Sequence, residues 1–184
     1  PKTISEKVQQ AYPHLSEREV AQVIKGLREY FHVINLSGRK MVSMPSQVID
    51  VAWHEFILFT RMYHEFCTKA LGRYLHHTPA EAMRSPTDAQ AGIKRAWRLA
   101  CFREQINPYK PKKLPLIFAL DAKLKIADGF FFELDCMATR ASGKSDSSSG
   151  GYCGSHVGCS SGCAGSAGDG GCSGDSGGGG CGGD

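Results

Sequence analysis

Residues 53–67 read WHEFILFTRMYHEFC, a nearly unbroken apolar and aromatic run that also carries two histidines, a threonine, a tyrosine and a cysteine. The run is too long for a strand and predicts one continuous helix from about Gln47 to Leu71. Ser46 is a suitable N-cap for it, and Gly72 a suitable C-terminal stop. This central helix sets the fold class.

The flanking sequence predicts further helices around it. Ser16 and Glu19 have the spacing of a capping box and open an amphipathic helix that ends near 36–38. Shorter helices are expected at about 4–11, 87–105 and within LPLIFALDAKLKI, residues 114–126. DGFFFELDC, residues 128–136, reads as an extended segment. The prediction is a mostly α fold, a compact bundle of about five helices with room for one short β-hairpin.

A change of composition divides the chain in two. Residues 141–184 are almost entirely Gly, Ser, Cys, Ala and Asp, which cannot bury enough apolar surface to offset the entropy of ordering. We therefore expect a helical domain at 1–140 and a disordered Gly/Ser/Cys-rich tail at 141–184.

Charge and hydropathy argue against two classes of partner. Residues 1–140 hold 21 Lys and Arg against 14 Asp and Glu, yet they contain no dense basic block with interleaved aromatics. Nucleic-acid binding is therefore not favoured. The sequence has no apolar run of signal-peptide or membrane-spanning length, so a cytoplasmic protein without a membrane partner is expected.

The central helix carries the candidate site. Asp50 lies one turn before His54, a spacing at which the carboxylate can orient the imidazole. We interpret this pair mainly as internal satisfaction of polarity, and an enzyme that uses His54 with Asp50 is the less favoured reading. Cys67 is expected to be an inert buried thiol.

A metal site on this helix has limited options. His54 and Cys67 would lie about 20 Å apart in a continuous helix, too far to share one ion. His64 and Cys67 have compatible spacing, and His76 or His77 could fold back past Gly72 to join them. The predicted ligand set is therefore His64, Cys67 and His77.

The run VIDVAWHEFILFTRMYHEFCTKALGRYLHHTP, residues 48–79, resembles the bacterial branch of the glycine-rich domain-containing protein-like family. The resemblance extends to LPLIFALDAKLKIADGFFF and to the Gly/Cys tail. It implies a helical domain followed by a glycine-rich segment, without an assigned reaction. Phe56 stands where many members carry a second histidine. The matching positions that form the expected motif or pocket are Asp50, Trp53, His54, Thr60, Tyr63, Cys67, His76 and His77.

Five cysteines in the tail call for a separate explanation. Their gaps of 6, 4, 9 and 9 residues do not fit a CxxC-type zinc module. A looser site for zinc or copper, a substrate for a thiol-modifying enzyme and an inert extension all remain open. The candidate thiol ligands are Cys153, Cys159, Cys163, Cys172 and Cys181.

The function expected from the sequence is a non-enzymatic binding or scaffold protein that presents a flexible cysteine-rich tail to a protein partner or a modifying enzyme. The alternatives are a metal-binding protein, using the tail cysteines or the His/Cys motif, and a carrier of a modified tail.

Overall fold

The computed structural model describes residues 2–78, 86–134 and 152–153, and these are mostly helical, which confirms the predicted class. Within them the chain forms six α-helices, one π-helical turn and two very short strands. The helices are α1 (Lys2–Ala11), α2 (Glu17–Leu36), α3 (Gln47–Leu58), α4 (Thr60–Phe66), α5 (Pro86–Arg103) and α6 (Leu116–Lys123), the π turn is Cys67–Leu71, and the strands are β1 (Phe132–Glu133) and β2 (Tyr152–Cys153).

Helix α2 begins at the predicted capping box. The Ser16 hydroxyl accepts a hydrogen bond from the Glu19 amide at 3.4 Å, and the Glu19 carboxylate accepts one from the Ser16 amide at 2.8 Å. Hydrogen bonds from the side chain and the backbone of Ser16 hold the pKa of the Glu19 carboxyl below its usual range. Two otherwise unpaired amides at the helix start are thus satisfied.

The predicted continuous central helix is wrong, because it breaks at Phe59. The backbone of Phe59 leaves the helical region, with φ −83° and ψ 60°, and separates α3 from α4. In one straight helix, Trp53 and Tyr63 would lie about 15 Å apart along the axis. The break lets α4 fold back, so that the Trp53 indole N–H reaches the Tyr63 hydroxyl at 3.1 Å.

The core forms where α2, α3 and α6 meet. Gly26 of α2 allows the close approach, because a Cβ at this position would lie 2.5 Å from Leu120 Cδ1 and 2.8 Å from Ile49 Cδ1. Trp97 of α5 is fully buried, and its ring meets Phe118 of α6 edge-on at 5.1 Å between ring centroids. Helix α3 is therefore packed between neighbours on more than one side.

A buried carboxylate on α6 fixes the start of α3. Asp121 is 1% exposed, and its Oδ2 accepts hydrogen bonds from the amides of Gln47 (2.7 Å) and Phe130 (2.8 Å). Its Oδ1 accepts from the Ser46 hydroxyl at 2.6 Å and the Val48 amide at 3.3 Å. The Ser46 hydroxyl in turn accepts from the Ile49 amide at 3.3 Å, as the predicted N-cap should. The first three amides of α3 are therefore all paired.

The strand pair differs from the predicted hairpin. Within the described residues, β1 takes β2 as a parallel partner, with Phe132 opposite Tyr152 and Glu133 opposite Cys153. A parallel pair needs a long connection, whereas the two strands of a short hairpin would be antiparallel. Strand β2 belongs to the segment for which the sequence predicts disorder.

Several predictions fall outside the described residues. The domain boundary expected near 140 and most of the tail lie there. Within the described residues, none of the helices combines the length and the apolar character needed to cross a bilayer.

We expect Asp121→Asn to lower the free energy of unfolding by about 3 kcal/mol. Each oxygen of Asp121 accepts two hydrogen bonds, and asparagine would replace one of these oxygens with an NH₂ group. Two buried donors would then lose their acceptor, which is costly. Urea denaturation followed by circular dichroism measures the change. Asp128→Asn, at an exposed position one turn beyond α6, is the matched control and should change stability little. Equal stability of both variants would contradict the capping role of Asp121.

Candidate functional site

Helix α3 brings a carboxylate and an imidazole together on one face. The Asp50 Oδ2 and His54 Nδ1 atoms lie 3.6 Å apart, which confirms the pairing expected from their one-turn spacing. The His54 side chain is 49% exposed, whereas that of Asp50 is 20% exposed. Because half of the imidazole is open to solvent, the pair is not a core polar contact alone.

His77 completes a cluster of three. After α4 and the π turn, Gly72 adopts a left-handed conformation with φ 65°, and residues 74–78 run back beside α3. The His77 Nε2 lies 3.0 Å from Asp50 Oδ1, within hydrogen-bond distance. Its ring centroid is 4.3 Å from that of His54 and 4.4 Å from that of Trp53. The two histidines therefore share one carboxylate in front of a tryptophan.

Tyr63 forms two hydrogen bonds to residues next to the cluster. Its hydroxyl accepts a hydrogen bond from Trp53 Nε1 at 3.1 Å and donates one to the Leu75 carbonyl at 2.7 Å. Burial raises the pKa of the Tyr63 hydroxyl well above its usual value, so the group stays protonated and can donate. The Tyr63 hydroxyl therefore links Trp53 of α3 to Leu75, which lies two residues before His77.

The donor atoms of the cluster lie close enough together that they could hold a metal ion. One donor atom each from Asp50, His54 and His77 lies within 4.8 Å of the other two. Ligands about 2.1 Å from a tetrahedral or octahedral ion are separated from their neighbours by about 3 to 3.5 Å. Two imidazoles and one carboxylate suit zinc and other divalent transition metals.

The structure distributes the residues of the predicted sites differently. Among the described residues, the group of three side chains that could hold a metal ion consists of Asp50, His54 and His77. Neither His64 nor Cys67 belongs to this group. His64 and His76 are exposed and flank the Tyr74 ring, and Thr60 is exposed at the start of α4. Cys67 is fully buried, as predicted. Cys159, Cys163, Cys172 and Cys181 lie outside the described residues, and only the backbone of Cys153 is described.

The cluster opens into a cleft of about 840 Å³. The cleft has an apolar floor and, in addition to the cluster, three basic side chains: Arg39, Lys40 and Arg73. These three residues were not predicted from the sequence, because they lie in connectors whose composition carries no motif. The apolar floor is formed mainly by Tyr30, Ile34, Trp53, Leu75, Ile93 and Phe132.

Comparison with known proteins assigns the chain to a family. The family model described as UCP032817-like matches residues 1–157, which include every described residue of the cluster and the cleft. The chain belongs to the UCP032817-like family. No curated protein and no solved structure matches this family member. The match also covers β2, so the helical domain and the first part of the tail segment fall within one family region.

We expect the Tyr63→Phe variant to lose about 1 to 3 kcal/mol of unfolding free energy. The loss would leave the buried Trp53 indole N–H and the Leu75 carbonyl without their shared partner. Thermal and urea unfolding measure it. The control is Tyr109→Phe, since Tyr109 is 60% exposed and its loss of a hydroxyl should be neutral. A neutral Tyr63→Phe would show that this hydroxyl does not organise the cluster.

The thiol of Cys101 should resist alkylation in the folded protein. Burial raises its pKa from 9.0 to about 12, so the reactive thiolate is scarce near neutral pH. The folded state therefore binds more protons than the unfolded state between these two values. This thiol accordingly contributes stability below about pH 9 that is lost as the pH rises towards 12. Iodoacetamide at pH 8 followed by peptide mass mapping should leave Cys101 unlabelled in native protein and label it in denatured protein. Labelling at equal rates in both states would contradict this.

Proposed function

We propose that the helical domain is a metal-binding module in which Asp50, His54 and His77 hold one divalent transition-metal ion. The observation that carries the proposal is the convergence of their three donor atoms within 4.8 Å at the wall of an open cleft. Three protein ligands beside a solvent-filled space leave a position for an exchangeable ligand, the pattern of zinc sites that act on or bind other molecules.

The surroundings favour an ion over a simple hydrogen bond. One histidine is enough to pair a carboxylate. Asp50, however, has an imidazole nitrogen near each of its two oxygens. Trp53 packs against His77 and excludes water from one side, which strengthens charge interactions at the cluster. A divalent cation would satisfy the carboxylate and both imidazoles at once.

The proposed ligands differ from the set predicted from the sequence, which was His64, Cys67 and His77. Only His77 belongs to both sets. In the broader proposal the domain binds rather than catalyses and presents the cysteine-rich segment from residue 141 onward to a protein partner or a modifying enzyme. This agrees with the resemblance to glycine-rich domain-containing proteins.

Cobalt(II) and zinc(II) titrations of the full-length chain test the metal site. The tail thiols are removed as competitors by changing Cys153, Cys159, Cys163, Cys172 and Cys181 together to serine. We expect one ion per chain, with a cobalt spectrum of nitrogen and oxygen ligation and no thiolate charge-transfer band. His77→Ala should weaken zinc binding by at least about a hundredfold, since even outer-sphere partners of a metal ligand are worth ten- to a hundredfold.

Two control variants test whether zinc binding depends on the histidines of the cluster or on other histidines. His32→Gln removes an exposed imidazole far from the cluster in the chain, and His64→Gln removes a member of the alternative set. Both should bind zinc as the parent does. If His64→Gln rather than His77→Ala abolishes binding, the cluster assignment is overturned. Stoichiometric binding that requires only the tail cysteines would overturn it as well.

A further inference from the structure

The cleft beside the metal cluster has more basic than acidic lining. Among the described residues that line the cleft, Arg39, Lys40 and Arg73 are accompanied by one carboxylate, that of Asp50. That carboxylate already lies 3.0 Å from His77 Nε2 and 3.6 Å from His54 Nδ1. It is therefore not available to neutralise the basic side chains.

Two of the three cations are exposed, and the third, Arg73, is half-buried. Arg39 and Lys40 are exposed, and Arg73 donates one hydrogen bond to the Gly38 carbonyl at 2.5 Å. Among the described residues, none of the three forms an ion pair with a carboxylate. Unpaired cations are common on protein surfaces, but these three line one concave site together.

The floor of the cleft suits an apolar body. Trp53 is 4% exposed and Leu75 is 9% exposed, so both present packed apolar surface rather than mobile side chains. Met41 and Phe130 add exposed apolar groups to the same lining. The volume of about 840 Å³ lies within the range of small-molecule sites.

The wall of the cleft is fixed in place. The connector between α2 and α3 is held by a 3.0 Å hydrogen bond from the Tyr30 hydroxyl to the Val42 carbonyl. The Ser43 hydroxyl donates to the Ala89 carbonyl at 2.9 Å, and Arg95 donates to the Met41 carbonyl. Since these bonds tie the connector to both α2 and α5, a ligand would enter a cleft that needs little reordering.

We propose that this cleft binds a small organic anion, with an acidic group on Arg39, Lys40 and Arg73 and an apolar body on the floor beside Trp53. Guanidinium and ammonium groups form charge-assisted hydrogen bonds to carboxylate, sulfonate or phosphate oxygens. This inference goes beyond the metal site and does not require it, because the basic side chains and the floor are separate from the metal donors.

Two fluorescent probes that differ by one acidic group test the proposal. 8-Anilinonaphthalene-1-sulfonate carries a sulfonate, and N-phenyl-1-naphthylamine has the same aromatic body without it. Each is titrated into the full-length chain in the presence of a metal chelator, so a failed metal site leaves the result interpretable. We expect the sulfonate probe to bind more tightly than the neutral one.

Variants then locate the binding. Arg39→Gln with Lys40→Gln should weaken the sulfonate probe about tenfold and leave the neutral probe unchanged. Lys25→Gln with Arg28→Gln removes the same charge from exposed positions on α2 outside the cleft and should leave both probes unchanged. Ala89→Phe narrows the cleft and should weaken both.

Three outcomes would overturn the proposal. The first is equal affinity for the two probes, which would show that the cations contribute nothing. The second is equal weakening by the two charge variants, which would show a general charge effect. The third is unchanged sulfonate binding in a folded Ala89→Phe variant, with folding checked by near-ultraviolet circular dichroism, since the probe would then lie elsewhere.

Discussion

One buried carboxylate determines where the site helix begins. Asp121 reaches from α6 to the first turn of α3 and also accepts the Phe130 amide, so it joins three parts of the chain. A charge at 1% exposure is tolerated only because four donors surround it. Asp50 lies in the first turn of the same helix, and His54 lies one turn further on. The direction in which they face the cleft therefore depends on the Asp121 cap, although Asp121 touches neither residue.

Local signals in the sequence predict much of the fold. The Ser16 and Glu19 box, the Ser46 N-cap and the left-handed stop at Gly72 all form as expected, because each depends on residues within one turn. The break at Phe59 was not predictable in this way. Its driving contacts are the hydrogen bonds of Tyr63 to Trp53 and Leu75, which join positions ten and twelve residues apart.

The same limit explains the candidate site. Helical spacing correctly paired Asp50 with His54, but it also paired His64 with Cys67, and the structure leaves His64 exposed while the Cys67 thiol is fully buried. Once the chain turns back at Phe59 and again after Gly72, His77 arrives beside Asp50 instead. Three of the four donors to Asp121 lie more than seventy residues away at the start of α3, so periodicity carried no signal for them.

The cluster of Asp50, His54 and His77 and the basic lining are separate sets of side chains, yet charge would couple the ligands that we propose for them. A divalent ion on Asp50, His54 and His77 adds positive charge to a cleft that already holds three cations. Such an ion favours an anion in the same space, and by linkage the anion favours the ion by the same factor. The ion and the anion could contact each other on the solvent-facing side of His54, because the ion could bind its exchangeable ligand there. The two sites would then act as one recognition surface for an acidic small molecule.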